Sequence, residues 1–217
     1  MFFSCKEKEA NNTSDVNPDS IWFDYKISGQ EGDELVTVML QFRHGGAYGG
    51  TLLLDAPSKV ELDGELLKVD SSRMTGAFYE LLKPIESFSG NHTILYTDID
   101  GKEHREEFRF QPVSLTTELP VTIRRSDILL EFEGLDPIDV VRVLLTDTSF
   151  TGEGINRVDT VRDGKLLISK DDLAKLASGP VNLELIREND RKVRAATKKG
   201  GRISITFGLR REFLLID

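Results

Sequence analysis

The sequence predicts an all-β chain built as two successive antiparallel β-sandwiches. Three observations carry that expectation. From Ser20 onward, apolar residues alternate with polar ones at period two, which places one face of each segment inward. The alternating runs are short and are broken by Gly, Asp, Asn and Pro, as in sandwiches. Landmarks also recur in order: Asp63–Val69 (DGELLKV) matches Asp163–Ser169 (DGKLLIS), one hundred residues later.

Residues 1–18 precede the first strand. In the opening MFFSCKEKE, the only cysteine, Cys5, follows a small residue, Ser4, and the bulky Phe2 and Phe3. This resembles the lipobox of bacterial lipoproteins, in which a small residue precedes a cysteine that becomes lipidated. The following KEKEANNTSDVNPDS is polar and reads as a flexible tether. The resemblance implies a lipid on Cys5, a membrane as partner through that lipid, and an outer-membrane-anchored place in a bacterial cell envelope. Each buried methylene of such a chain adds ~0.8 kcal/mol of membrane affinity.

The strands come next. Ile21, Phe23, Tyr25 and Ile27 alternate with Trp22, Asp24, Lys26 and Ser28, and Val36, Val38, Leu40 and Phe42 repeat the pattern. Asp63-Gly64 and Asp163-Gly164 supply the left-handed residues of tight hairpin turns. FSGNHTILYT at Phe88–Thr97 parallels ASGPVNLELI at Ala177–Ile186, with His92, Ile94 and Tyr96 answering Val181, Leu183 and Leu185 as inward positions. FDYKISG and LEFEG each precede a Val-rich strand, and EEFRF and ISITF are matching late strands. Such ordered recurrence points to internal duplication. One short helix is expected, with Asp171 or Asp172 as N-cap and Leu173–Ala177 as its body. The boundary falls in Gln111–Pro120, giving sandwich domains at residues 19–113 and 114–217. Halves of near 100 residues and about seven strands resemble the tandem immunoglobulin-like domains of bacterial envelope proteins.

Composition removes several function classes. The formal charge of −9 disfavours a nucleic-acid binder, which needs a basic surface. A single Cys permits no internal disulfide, so packed cores must supply stability. The charge is uneven: residues 1–117 hold 11 Lys/Arg against 20 Asp/Glu, and residues 118–217 hold 17 of each.

The candidate site residues lie in three places. FRHGGAYGGT contains an HGG triplet that resembles the oxyanion-hole loop of lipases and esterases. That chemistry also needs a G-x-S-x-G elbow, which the sequence does not contain. A Gly-rich connection carrying His44 and Tyr48 as ligand contacts is the reading that remains. Trp22 and Tyr79 are candidates for a sugar-binding face. The segment Arg187–Arg202 holds seven basic residues against Glu188 and Asp190, so Arg191, Lys192, Arg194, Lys198 and Lys199 are candidates for an anionic partner, against a solvated hairpin that guards a sheet edge. DIDGKE at Asp98–Glu103 reads as a turn rather than a calcium loop, which would need helices on both sides. His44, His92 and His104 show no zinc spacing, so neither metal nor cofactor is expected. Together these readings predict a non-catalytic binding, adhesion or assembly module with a protein or polysaccharide ligand. A hydrolase with its site at the Gly-rich loop or the inter-domain cleft is the alternative.

Overall fold

A computed structural model of the chain describes residues 12–72, 75–149 and 154–217. Its strands are β1 (Ile21–Gln30), β2 (Leu35–His44), β3 (Lys59–Leu62), β4 (Glu65–Leu66), β5 (Lys68–Ser72), β6 (Gly76–Pro84), β7 (Gly90–Thr97) and β8 (Glu103–Phe110) in the first half. The second half contributes β9 (Ser114–Leu115), β10 (Thr122–Arg124), β11 (Ile128–Glu133), β12 (Ile138–Asp147), β13 (Ile155–Arg162), β14 (Lys165–Ile168), β15 (Gly179–Lys192) and β16 (Gly201–Ile216), with one helix, α1 (Lys170–Leu173).

The first half is an immunoglobulin-like sandwich. Strands β5-β6-β2-β1 form one sheet and β4-β3-β7-β8 the other, the D-E-B-A and C′-C-F-G arrangement of that fold. Alternation supplies its core: Phe23, Tyr25 and Phe42 from one sheet and Tyr96 and Phe110 from the other are all at most 1% exposed. Ring centroids lie 5.2 Å apart for Phe23–Tyr96 and 4.5 Å for Phe42–Tyr96. Each such buried side chain contributes roughly 1.5–3 kcal/mol of hydrophobic stabilisation. In the second half, β16-β15-β12-β13 stand in the order G-F-C-C′ and β14-β11-β9 in the order E-B-A. The fold class is therefore the one the alternation predicts.

The repeat is real at one landmark and displaced at the other. Gly90 (φ +133°) and Gly179 (φ +137°) open β7 and β15, and both strands pair with the C and G strands of their own half. Asp63-Gly64 and Asp163-Gly164 both have positive φ at both residues, the geometry of a type I′ hairpin. The first joins β3 to β4, however, whereas the second joins β13 to β14. Their local chemistry is the same but their topological places differ, as do those of β1 and β11. The first half adds β5 at the D position, beside β6, for which the second half has no strand among the described residues.

The halves are not strung end to end on a free linker. Strands β15 and β16 are registered over their whole length, from Gly179↔Leu215 to Lys192↔Arg202. Strand β12 follows β15 only between Val181 and Arg187. Beyond that point the hairpin runs on into the first half, where β16 lies parallel to β1 from Phe23↔Gly201 to Gln30↔Gly208. Every odd residue of β16 except Arg211 is buried: Ile203, Ile205 and Phe207 on the stretch beside β1, then Leu209, Phe213 and Leu215 on the stretch beside the second half. Phe207 stacks edgewise on Phe110 at 6.1 Å. At ~3.3 Å per residue, a strand of this length measures about 50 Å, so one hairpin acts as a spine for both cores. It also covers the β1 edge that a free sandwich would expose.

Two local expectations are corrected. The tether does not extend to residue 18. Thr13 is fully buried, donates its N–H to Leu53 O at 2.8 Å, and accepts at its hydroxyl from Asp55 N at 3.0 Å. The helix begins earlier than expected, at Lys170. Its N-cap is Ser169, in a capping box with Asp172. Cys5 lies outside the described residues.

Candidate functional site

Two of the three predicted regions meet at one end of the first sandwich. His44 ends β2 opposite Ile21, and the connection His44–Gly50 closes on itself through His44 N–H to Gly50 O at 2.9 Å. Gly45 has φ +82° and Gly46 +144°, conformations glycine adopts without steric cost. Gly45 N–H then donates to Ser20 O at 2.9 Å. From the other side the hairpin tip arrives: Lys199 N–H donates to Asp19 O at 3.2 Å, and the Lys198 ammonium meets the Asp19 carboxylate at 2.5 Å. That contact lowers the Asp19 carboxyl below its ordinary range and raises Lys198, chiefly through the hydrogen bond itself. Thr197, buried, donates its hydroxyl to Ile21 O at 2.5 Å.

The short segment Pro18–Ser20 thus gathers the Gly-rich loop and the basic tip around Trp22, whose ring lies against Gly200. Tyr48 is fully exposed at the loop's apex, and His44, Lys192, Arg194 and Lys199 are exposed. Among the described residues, Lys192, Arg194 and Lys199 have no carboxylate within salt-bridge distance, while Lys198 is held by Asp19.

Other predicted site residues have structural duties. Tyr79 is buried in the core, and its hydroxyl accepts Leu54 N–H at 2.7 Å, so it presents no face to a sugar. Arg191 ties the hairpin to β8: one guanidinium nitrogen pairs with the buried Glu106 carboxylate and the other donates to Glu107 O at 2.6 Å. Glu106 also accepts Arg194 N–H at 2.7 Å. The basic segment is therefore an internal joint as well as a charged surface, which corrects the picture of a freely solvated hairpin.

The histidines do not converge. His92 stands between Asp63 (2.7 Å) and Phe88 O (2.8 Å), stacked on the Phe88 ring at 3.9 Å. His104, buried, bridges Asp98 (3.3 Å) and Ala195 O (2.9 Å), so it too fastens the hairpin tip. Asp98 accepts N–H groups of Asp100 and Lys102 at 3.0 and 2.9 Å, and DIDGKE is the turn expected. Among the described residues no group of three or more His, Cys, Asp or Glu side chains is placed to hold a metal ion.

Sequence reasoning missed a polar network on the outer face of the first sheet. Asp24, almost fully buried, lies 3.4 Å from Arg43 and 3.3 Å from Arg202. Arg43 donates onward to Gln41 Oε1 at 2.6 Å and to Gly49 O at 3.2 Å, which braces the Gly-rich loop. Its local signal is a carboxylate on the outward register of β1, Asp24 between Trp22 and Lys26.

No family model matches the chain, and no curated protein matches it. Loose likenesses exist among solved structures. The IG1+IG2 domains of DIP-gamma share 11% identity, with 90% of this chain and 95% of that one covered and a TM-score of 0.25. The fibronectin(III)-like modules of Clostridium thermocellum CbhA share 14% identity over 87% and 94%, with a TM-score of 0.24. Bacteroides ovatus SGBP-B, solved with a mixed-linkage heptasaccharide, shares 10% identity over 96% and 69%, with a TM-score of 0.21. Superpositions this loose carry no argument about ligand or activity.

Proposed function

We propose that the chain is a non-catalytic binding or assembly module of a bacterial cell envelope. In this reading residues preceding Asn12 carry a lipid on Cys5, sandwich domains divide near residue 113, and the end built around Pro18–Ser20 is the ligand surface. The supporting observation is the convergence there of the Gly-rich loop and the basic tip, two segments separated by about 150 residues of sequence. Exposed Tyr48 and His44 on the loop, with Lys199 on the tip that docks at Asp19, suit an anionic polysaccharide, with the ring offering a stacking face and the cation long-range attraction. The fixed pairing of β16 with β1 keeps this surface from swinging relative to the rest of the molecule.

The experiment is binding of the full chain to a panel of acidic and neutral polysaccharides, with Tyr48→Ala and Lys199→Ala as probes. Salt-sensitive binding to acidic chains, weakened about tenfold by loss of the ring or the charge, is expected. Equal binding by wild type and both variants would move the ligand surface elsewhere. Hydrolysis of any ester, amide or glycoside substrate that is lost in His44→Ala would overturn the non-catalytic reading. Intact-mass measurement of the native protein tests the address: an acyl adduct on Cys5 agrees with it, and a free thiol removes it.

A further inference from the structure

A second feature lies along the flank of the first sandwich, apart from the end just described. On β15, Arg187, Asn189 and Arg191 alternate on one face, opposite Phe207, Ile205 and Ile203 of β16. Because β12 leaves β15 at Arg187, this stretch is a sheet edge. The edge of the facing sheet is β8, which runs out through Arg109 to Gln111. Between the two edges the sandwich stays open, in a cleft of about 80 Å³ lined by Arg109, Gln111, Asp136, Arg187, Asn189 and Arg191. That volume is several times the ~10–15 Å³ needed to admit one water, enough for one small oxyanion with part of its hydration.

The donors here are more numerous than their acceptors. Arg187 is 12% exposed. Its Nη2 is shared by Asp136 at 2.9 Å and Asp139 at 2.7 Å, and its Nη1 donates to Gln111 O at 3.4 Å. Its Nε–H is buried with no partner among the described residues, a state that buried donors seldom keep. Arg109 donates to Gln111 Oε1 at 3.2 Å and meets no carboxylate among those residues. The Asn189 amide makes no side-chain hydrogen bond to any of them.

Charge completes the picture. Asp139 is buried and fixed, accepting N–H groups of Asp136 and Val140 at 3.1 and 2.8 Å. Glu106 is buried on Arg191. Three guanidiniums against these two carboxylates leave one positive charge. Asp136, 58% exposed on the connection between β11 and β12, cancels it by leaning on Arg187. It stands where an incoming anion would stand.

We propose that this cleft is a binding site for a ligand bearing a carboxylate, sulfate or phosphate group. The anionic group displaces Asp136 from Arg187 and is held by Arg187 Nε, Arg109 and Asn189, charge-assisted contacts of the stronger kind. This site goes beyond the proposed ligand surface and stands or falls separately, because Tyr48→Ala does not touch it.

The test is titration of the isotopically labelled full chain with acetate, sulfate and phosphate at constant ionic strength, read by amide chemical shifts. Saturable shifts confined to Arg109, Gln111 and Arg187–Arg191 are expected, and the anion that saturates lowest identifies the group. Asp136→Asn should tighten binding about tenfold and Arg109→Gln weaken it about tenfold, the scale of one charge-assisted contact. Tyr48→Ala should leave it unchanged. Non-saturating shifts spread over all basic residues would overturn the proposal. So would an Asp136→Asn variant that binds no tighter than wild type, since a merely structural ion pair predicts no gain.

Discussion

Replacing Glu106 with alanine tests how the hairpin spine is fastened. Glu106 is 2% exposed and serves two partners, the guanidinium of Arg191 and the N–H of Arg194 at 2.7 Å. Removing one member of a buried pair costs about 3–5 kcal/mol, because the other charge is left uncompensated. Arg191 is 26% exposed and can turn partly to water, so the lower end of that range, ~3 kcal/mol, is expected. For a chain of this size the melting temperature then falls by roughly 6–12 °C. Glu106→Gln keeps an acceptor and should lose about half as much. Urea denaturation provides the assay, followed by far-UV circular dichroism and by fluorescence. Trp22 is the only tryptophan and its ring rests on Gly200 beside the hairpin tip, so fluorescence reports undocking of the tip locally. The Trp22 signal should move to lower urea than the circular dichroism signal. A loss below ~0.5 kcal/mol, within the range of ordinary surface substitutions, would refute the reasoning and show that docking is carried by apolar contacts alone.

Three further outcomes are expected. Gly201→Ala places a methyl 2.7 Å from Phe23 Cβ and 2.8 Å from Phe23 O; the close β1–β16 approach should cost about 1–3 kcal/mol, the range for overpacking, and unchanged thermal stability would contradict that approach. The Asp172 carboxyl is pushed up by burial, but hydrogen bonds from Arg157 and Ser169 outweigh this and hold it at about 2. Its stabilising contribution is therefore present above the usual carboxylate value near 3.8 and lost as pH falls from there toward 2. A contribution of order 1 kcal/mol should vanish from acid-titration curves of Asp172→Asn, and identical curves would show that the capping box is not linked to stability. Tyr79→Phe removes only the hydroxyl that accepts Leu54 N–H and should cost about 1–2 kcal/mol, measured by thermal melting.

Local chemistry made much of this fold legible. Alternation named Phe23, Tyr25, Val36, Val38 and Ile94 as inward residues, and Asp-Gly pairs named both type I′ turns, because a turn is decided by the residues that form it. Partnership was not legible. Phe23 and Gly201 are 178 residues apart, and nothing within either segment states that they lie side by side in parallel. A hairpin of 14 and 16 residues also exceeds the usual strand of five or six, so ISITF read as the last strand of one sandwich rather than a strand shared by two. For the same reason the basic run Arg187–Arg202 looked solvated: the acids that receive it, Glu106 and Asp19, are distant in sequence. Tyr79 sits inside β6 facing the core, and its own segment carries no mark of which way that strand faces. The gathering of His44, Tyr48, Lys198 and Lys199 around Pro18–Ser20 depends on main-chain hydrogen bonds, to which residue type contributes little.

The central claim is that a single hairpin runs unbroken through both halves and holds them in one orientation. Spin labels on exposed strand positions, at Val69→Cys and Val158→Cys in a Cys5→Ser background, allow electron–electron distance measurement between the halves. One narrow distance distribution, broadened by Glu106→Ala, is predicted. A wide or multimodal distribution in the otherwise unaltered chain would mean that the halves pivot on Gln111–Pro120, and the claim would be contradicted.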